Sequence, residues 1–303
     1  MDDETSFSLK VVVVGGAGGM GRWFSKFFKE SGAAVTIVDV SDDTERVAAS
    51  IGVDFIKADA CSCPDAIQAA DVVLVSVPID VVVDVIKGIA PEMRPGTLLM
   101  DVTSVKKAPV EAMLRYTAEG VEVLGTHPMF GPTAKSLRGQ TIIVVRGRHG
   151  RLCERVCELF RRSGARLTFT TAEAHDEAMR VIQGLTHFVL IAYGLTLHTL
   201  NFDVSAARPL MSPLYEIIFN IVGRILHQDP HLYGLIQMHL DVRGVHETFI
   251  EACKQLSSLV AEKNIKGFVE AMRTAATHFG DTKAALECTD KLIHKMIGET
   301  VKC

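Results

Sequence analysis

Seven short apolar runs punctuate the first 170 residues, at 10–14, 35–39, 72–76, 98–101, 121–126, 141–145 and 166–170, with helically spaced stretches between them. Several of the runs are Val-rich and continuous, as in Val72-Val73-Leu74-Val75, rather than alternating with polar residues. Continuous apolar strands suit a sheet covered on both faces by helices, whereas a sheet with one wet face alternates. The pattern predicts an α/β fold over residues 1–171, a doubly wound, mostly parallel Rossmann-type sheet. The helix after the first run carries Trp23, Phe24, Phe27 and Phe28 on one side, a predicted core face, and Gly32 supplies its stop.

After Glu173 the strand signals fade, and residues 172–303 read as helices, including an apolar stretch at 181–197. A helix apolar nearly all round must be buried in a domain or at a subunit interface. The all-α half has no sheet of its own, so it is expected to serve as a substrate and dimerisation domain and to join two chains as a homodimer. Pro209, Pro213 and Pro230 interrupt it, without a fixed-period repeat or a low-complexity tract.

Totals narrow the function. A chain of 303 residues buries a large core and favours two domains. A net charge of -4, with 22% charged residues and no block of Lys and Arg, excludes a surface built to grip nucleic acid. The start, with Asp2, Asp3 and Glu4, lacks the basic and apolar segments of a secretory signal. The apolar run 188–197 is shorter than the about 20 residues that cross a bilayer. A cytoplasmic protein with no membrane segment is expected. Seven cysteines read as reduced thiols, and Cys61, Cys63, Cys153 and Cys157 lack the further partners of a zinc site, so no metal is expected.

The first run leads into Gly16-Ala17-Gly18-Gly19-Met20-Gly21. A G-x-G-x-x-G turn is a weak signal alone, but between a strand and a helix it is a dinucleotide fingerprint. Gly16 is read as permitting the tight turn, Gly18 as letting backbone approach a pyrophosphate, and Gly21 as packing helix on strand, with Met20 in the same segment. Asp39 ends the next strand at close to the spacing of the carboxylate that binds the adenosine ribose, and it would repel a 2′-phosphate. NAD is therefore expected over NADP. Ser76-Val77-Pro78 closes a central strand and is expected to border the cofactor.

The chemistry centres on His127-Pro-Met-Phe-Gly-Pro132, read as a rigid loop after the strand at 121–126. Pro128 fixes its own φ and pushes His127 toward extended geometry, which aims the imidazole. Asp101-Val-Thr-Ser-Val-Lys106 follows another strand and brings Ser104 and Lys106 to the same edge. Ser104 is read either as orienting His127 or as a helix cap, and Lys106 as a substrate-binding cation. In the helical half, Arg180, Gln183 and His187 form a polar stripe at helical spacing, either an internal network or a substrate-facing wall. Arg243 suits a carboxylate ligand, or an ion pair with Asp241 or Glu247.

These motifs, followed by His175-Asp176, Ile182-Gln183, His187-Phe188, Ala192-Tyr193-Gly194-Leu195, Ser212-Pro213-Leu214-Tyr215, Val222-Gly223-Arg224 and Gln228-Asp229-Pro230, resemble the prephenate dehydrogenase family over nearly the whole chain. The resemblance implies oxidative decarboxylation of prephenate by NAD in tyrosine biosynthesis. It also implies His127 as the base that takes the ring hydroxyl proton during hydride transfer, Ser104 as its partner, and Arg243 as the holder of the ring carboxylate. His187 and Gln183 match positions near the site. Arogenate dehydrogenase shares every one of these motifs, and a catalytically silent NAD sensor would keep the fold. An unrelated hydroxy-acid dehydrogenase is disfavoured by the His127–Pro132 segment.

Overall fold

In the computed structural model, which describes residues 9–298, all seven apolar runs form strands and an eighth joins them. They are β1 Lys10–Val14, β2 Ala34–Asp39, β3 Asp54–Lys57, β4 Val72–Val75, β5 Leu98–Asp101, β6 Glu122–Pro128, β7 Thr141–Arg146 and β8 Arg166–Thr170. Asp2, Asp3 and Glu4 lie outside the described residues. The unforeseen strand, β3, is an edge strand with three of its four residues exposed, so it needs no apolar run to fill two buried faces.

The order is β3-β2-β1-β4-β5-β6-β7-β8. Every pairing is parallel except β6 with β7, which is antiparallel. Chain order reverses between β1 and β4, the position where such sheets open a crevice at the carboxyl ends of their strands.

Helices α1 Gly19–Glu30, α2 Thr44–Ile51, α3 Pro64–Ala69, α4 Val82–Ile89, α5 Lys107–Tyr116 and α6 Arg151–Arg162 cover the sheet. Alternate strand residues face opposite sides, as a period of two requires. Val12, Val14, Val73, Val75, Leu99 and Val123 belong to one core, and Val11, Val13, Val72, Leu74, Leu98 and Leu124 to the other. Phe24 and Phe28 are fully buried in the second, with Trp23 and Phe27 packed partly buried against it. Each such side chain is worth about 1.5–3 kcal/mol of transfer free energy. Helix α1 stops as expected, with Gly32 at φ 88° just beyond its end.

The chain forms two compact units: residues up to Met179 with Met238–Leu240, and Arg180–Gln237 with the residues from Asp241 on. The sheet unit thus includes α7, Ala172–Met179. The second unit begins with a π-helical segment, Arg180–Leu185, and continues through α8 Thr186–Thr199, α9 Val204–Ala207, α10 Pro213–Leu226, α11 Pro230–His239 up to Gln237, α12 Arg243–Ala261, α13 Ile265–Phe279 and α14 Thr282–Gly298. Pro213 and Pro230 open α10 and α11, where the missing N–H costs no hydrogen bond.

The continuous helix Ala172–Thr199 is long and apolar enough, by length and composition, to cross a membrane. The apolar run at 188–197 is only part of this longer helix. Its first turns are nevertheless polar and belong to the folded sheet unit, where His175 is only 1% exposed. In the helical unit Val181, Ile182, Leu195, Leu200 and Leu210 lie on the surface, an extent of apolar exposure that marks an interaction face.

Candidate active site

At the carboxyl end of β1 the chain turns on Gly15, at φ 79°. This left-handed residue precedes the motif, so the tight turn belongs to Gly15 and not to Gly16 as expected. A side chain on Gly15 would also strike the Ser76 carbonyl at 2.6 Å. Gly16 is small because the Ile37 side chain fills the space where its Cβ would stand. Gly21 allows close packing as expected, since a Cβ there would sit 2.1 Å from the Gly15 carbonyl oxygen.

Asp39 draws the turn together. Its Oδ2 accepts from the Ala17 N–H at 2.9 Å and its Oδ1 from the Ser41 N–H at 3.0 Å. Helix α1 has Gly18 as N-cap, with no side-chain cap and no acidic residue in its first turn. A Cβ on Gly18 would meet only the Gly15 carbonyl, at 3.4 Å. Uncapped amides and a backbone open to close approach fit a dinucleotide pyrophosphate. Ser76, Val77 and Pro78 follow β4 beside this turn, with the Ser76 N–H on the Val14 carbonyl at 2.8 Å. Met20 packs against the core under α1.

His127 lies inside β6, not in a loop after it. The antiparallel partner β7 continues past the end of β5 and pairs Ile143 with His127, which keeps the strand going through Pro128. The imidazole is 3% exposed. Its Nδ1 stands 2.8 Å from Nε2 of His175 on α7, and His175 Nδ1 stands 2.6 Å from Asp176 Oδ1. Asp176 also accepts the Lys106 N–H at 2.8 Å and the Lys107 N–H at 3.0 Å, which caps α5 from outside that helix. Burial, then electrostatic opposition from the neighbouring His175 ring and the Lys106 ammonium, holds His127 well below the ordinary 6.5 of an imidazole, so it is neutral near pH 7. Burial pushes the Asp176 carboxyl up, but hydrogen bonds from His175, Lys107 and Lys106 outweigh it and leave it lowered.

Lys106 departs from its expected role as a substrate-binding cation. Its side chain is wholly buried, with Nζ on Asp101 Oδ2 and 3.2 Å from the Thr103 hydroxyl. The ammonium thus serves as an internal charge that acts on His127. Ser104 is half-buried in the loop after β5, and the N-cap of α5 is Lys106 rather than Ser104.

The segment after His127 leans on the cofactor turn. Phe130 meets the Trp23 ring edge-on at 5.0 Å, and Trp23 Nε1 donates to the Ala134 carbonyl at 2.7 Å. Pro132 lies where a Cβ on Gly19 would come within 3.1 Å.

In the helical unit, Arg180 and Gln183 lie in the π segment, which shifts their phase relative to His187 on α8. Backbone of this kind recurs at functional sites. The His187 ring lies 4.4 Å from that of Tyr233, and burial lowers its pKa. Gln237 Nε2 donates to the Gly184 carbonyl at 3.1 Å. Arg243 opens α12, with its side chain 88% exposed and its Nε 2.9 Å from Glu247 Oε1. His175 and Asp176, present in the sequence as a motif without a role, join the His127 site here, and the adjacent His-Asp pair is the signal that could have found them.

A doubly wound sheet with this turn and a buried neutral imidazole at the same carboxyl edge defines an NAD-binding Rossmann-type dehydrogenase. Residues 24–168 match the family described as "Prephenate dehydrogenase, nucleotide-binding domain", and residues 171–274 match "Prephenate dehydrogenase, dimerization domain". The chain belongs to the prephenate dehydrogenase family, oxidoreductases of tyrosine biosynthesis. It is 38% identical to a probable arogenate/prephenate dehydrogenase of Methanocaldococcus jannaschii, over 97% of this chain and 67% of that protein. It is 34% identical to a 4-amino-4-deoxyprephenate dehydrogenase of Streptomyces pristinaespiralis, over 84% of this chain and 92% of that one. Its fold is similar to that of Aquifex aeolicus prephenate dehydrogenase in complex with hydroxyphenyl propionate and NAD+, with a TM-score of 0.71 and 19% identity over 90% of this chain and 97% of the other.

Proposed function

We propose that the chain oxidatively decarboxylates prephenate with NAD, yielding 4-hydroxyphenylpyruvate, carbon dioxide and NADH, as a cytoplasmic homodimer joined through its helical unit. The observation that carries this reading is the buried, neutral His127 at the sheet edge that also bears the nucleotide turn. Bound NAD would accept a hydride from the ring carbon that carries the hydroxyl. His127 takes the hydroxyl proton as that C–H bond breaks, and Ser104 orients its ring. The bond to the ring carboxylate then breaks, its electron pair restores aromaticity, and the proton returns to the phenolate oxygen. Positioning supplies much of the acceleration, because aromatisation already drives the reaction. Arg243 exchanges Glu247 for the ring carboxylate, while Gln183 and His187 hold the side chain.

Asp39 supports NAD over NADP, since its carboxylate would repel a 2′-phosphate. Prephenate is preferred to arogenate because the amine of arogenate calls for a carboxylate. The keto side chain of prephenate instead suits neutral donors such as Gln183 and His187. Arogenate stands as the second reading, since the M. jannaschii relative carries both names.

Initial rates with prephenate, arogenate and 4-amino-4-deoxyprephenate, each with NAD and NADP, test the reading. Turnover led by prephenate and NAD supports it. A lead for either amino compound, or for NADP, overturns the specificity, and no turnover in any pairing overturns the reaction.

A further inference from the structure

Asp176, His175 and His127 form a chain of ring and carboxylate atoms, with separations of 2.6 Å and 2.8 Å. A carboxylate only accepts, so His175 Nδ1 carries the proton of the first bond. If His175 is the neutral tautomer, its Nε2 can only accept, and His127 must donate from Nδ1. The lone pair of His127 then sits on Nε2, the atom that would take a proton from a substrate. If instead His175 were doubly protonated, its Nε2 would donate, and Nε2 of a neutral His127 would carry a hydrogen and could not act as a base.

We propose that His175 and Asp176 are positioning residues that fix His127 in the Nδ1–H tautomer and stabilise the imidazolium formed when His127 accepts the substrate proton. This rests on the reading of His127 as the base. Asp176 is well placed as the anchor, because the Lys106 and Lys107 amides hold its two oxygens and leave His175 a fixed acceptor. His175 is 1% exposed, so water does not compete for its bonds. Among the described residues, Lys106, in the loop before α5, acts on His127, and Asp101 at the end of β5 is the partner of that lysine. The Lys106 charge opposes protonation of His127, and the Asp176 charge at the far end of the chain favours it. No proton needs to reach Asp176: the bond to Nε2 of His127 forms as the substrate O–H breaks, and the same proton later leaves with the product.

The test combines kinetics with a direct reading of the tautomer. His175→Leu should lower kcat on the order of 10²-fold, less than the ~10⁴-fold lost when the group holding a catalytic imidazole's tautomer is neutralised in a serine protease. The KM for NAD should be unchanged. His175→Gln, whose amide oxygen can still accept from His127, should recover most of kcat, and Asp176→Asn should lower kcat without moving the KM for NAD. In the wild-type protein, ¹⁵N shifts of labelled histidine should place the His127 hydrogen on Nδ1, with assignment by difference from His127→Asn. A hydrogen on Nε2, or full kcat in His175→Leu, overturns the relay, and the wild-type spectrum decides even if His175→Leu fails to fold. Full kcat in Asp176→Asn reduces Asp176 to a cap for α5. Adding His175→Leu to His127→Asn should cost nothing further. Turnover surviving in His127→Asn alone would defeat the base assignment, whereas loss there with full kcat in His175→Leu defeats only the relay.

Discussion

Lys106 and Asp101 form an ion pair in which neither side chain has any solvent exposure. The carboxylate also accepts from the Thr103 N–H and hydroxyl, so one oxygen carries several donors, while Oδ1 has no hydrogen-bond partner among the described residues. Removing one member strands a buried charge, at a cost of about 3–5 kcal/mol. Lys106→Met should therefore lower the melting temperature by several degrees, and adding Asp101→Leu should recover part of the loss. A Lys106→Met protein that melts with the wild type would show the pair to be dispensable.

The same ammonium bears on pH. His127 is held well below the ordinary imidazole pKa by burial, by its neighbour His175 and by the Lys106 charge. The acid limb of kcat/KM should accordingly lie well below pH 6.5. Lys106→Met should move it upward, because one of the opposing charges is gone. A profile limited at the ordinary imidazole value would refute the buried neutral base.

Stability follows by linkage. Between the lowered folded pKa and the ordinary unfolded one, the unfolded chain binds a proton that native His127 refuses. The stability present above pH 6.5 is thus lost as pH falls through that window. The melting temperature of wild type should drop more steeply from about pH 6.5 to pH 5 than that of His127→Asn, which has no such titration. Parallel curves would contradict the depressed pKa.

His127→Asn should keep NAD binding, read by fluorescence titration, and lose ~10²- to 10⁴-fold in kcat, the usual worth of a general base. Undiminished turnover would assign the proton transfer to another group.

Gly21→Ala would place a Cβ 2.1 Å from the Gly15 carbonyl oxygen, and backbone must move to admit it. The nucleotide turn shifts with it, so the KM for NAD should rise about tenfold or more, roughly 1.4 kcal/mol. An unchanged KM would mean that the turn tolerates displacement.

Arg243 separates binding from stability. Its bond to Glu247 is a solvent-exposed pair within one helix, worth little to the fold. Arg243→Ala should leave the melting temperature within a degree or so, yet raise the KM for prephenate by one to two powers of ten, the order of a lost charged hydrogen bond of ~1.5–3 kcal/mol. A fall in melting temperature with an unchanged KM would make the arginine structural.

The sequence by itself determined the doubly wound sheet, the nucleotide turn and His127, because each has a local signal: a continuous apolar run, glycines at fixed spacing, a proline-flanked histidine. It determined too that the second half is helical and apolar beyond its own needs. Tertiary structure alone decided the rest, because the deciding contacts are remote in sequence. β7 draws His127 into β6 by pairing Ile143 beside it, and Ile37 rather than turn geometry accounts for Gly16. Lys106 looks like a ligand on paper, and becomes an internal charge once β5 and α5 bring it against Asp101. His175 and Asp176 sit where the strand signal has already faded, and only the packing of α7 on α5 carries them to an imidazole 48 positions away in sequence.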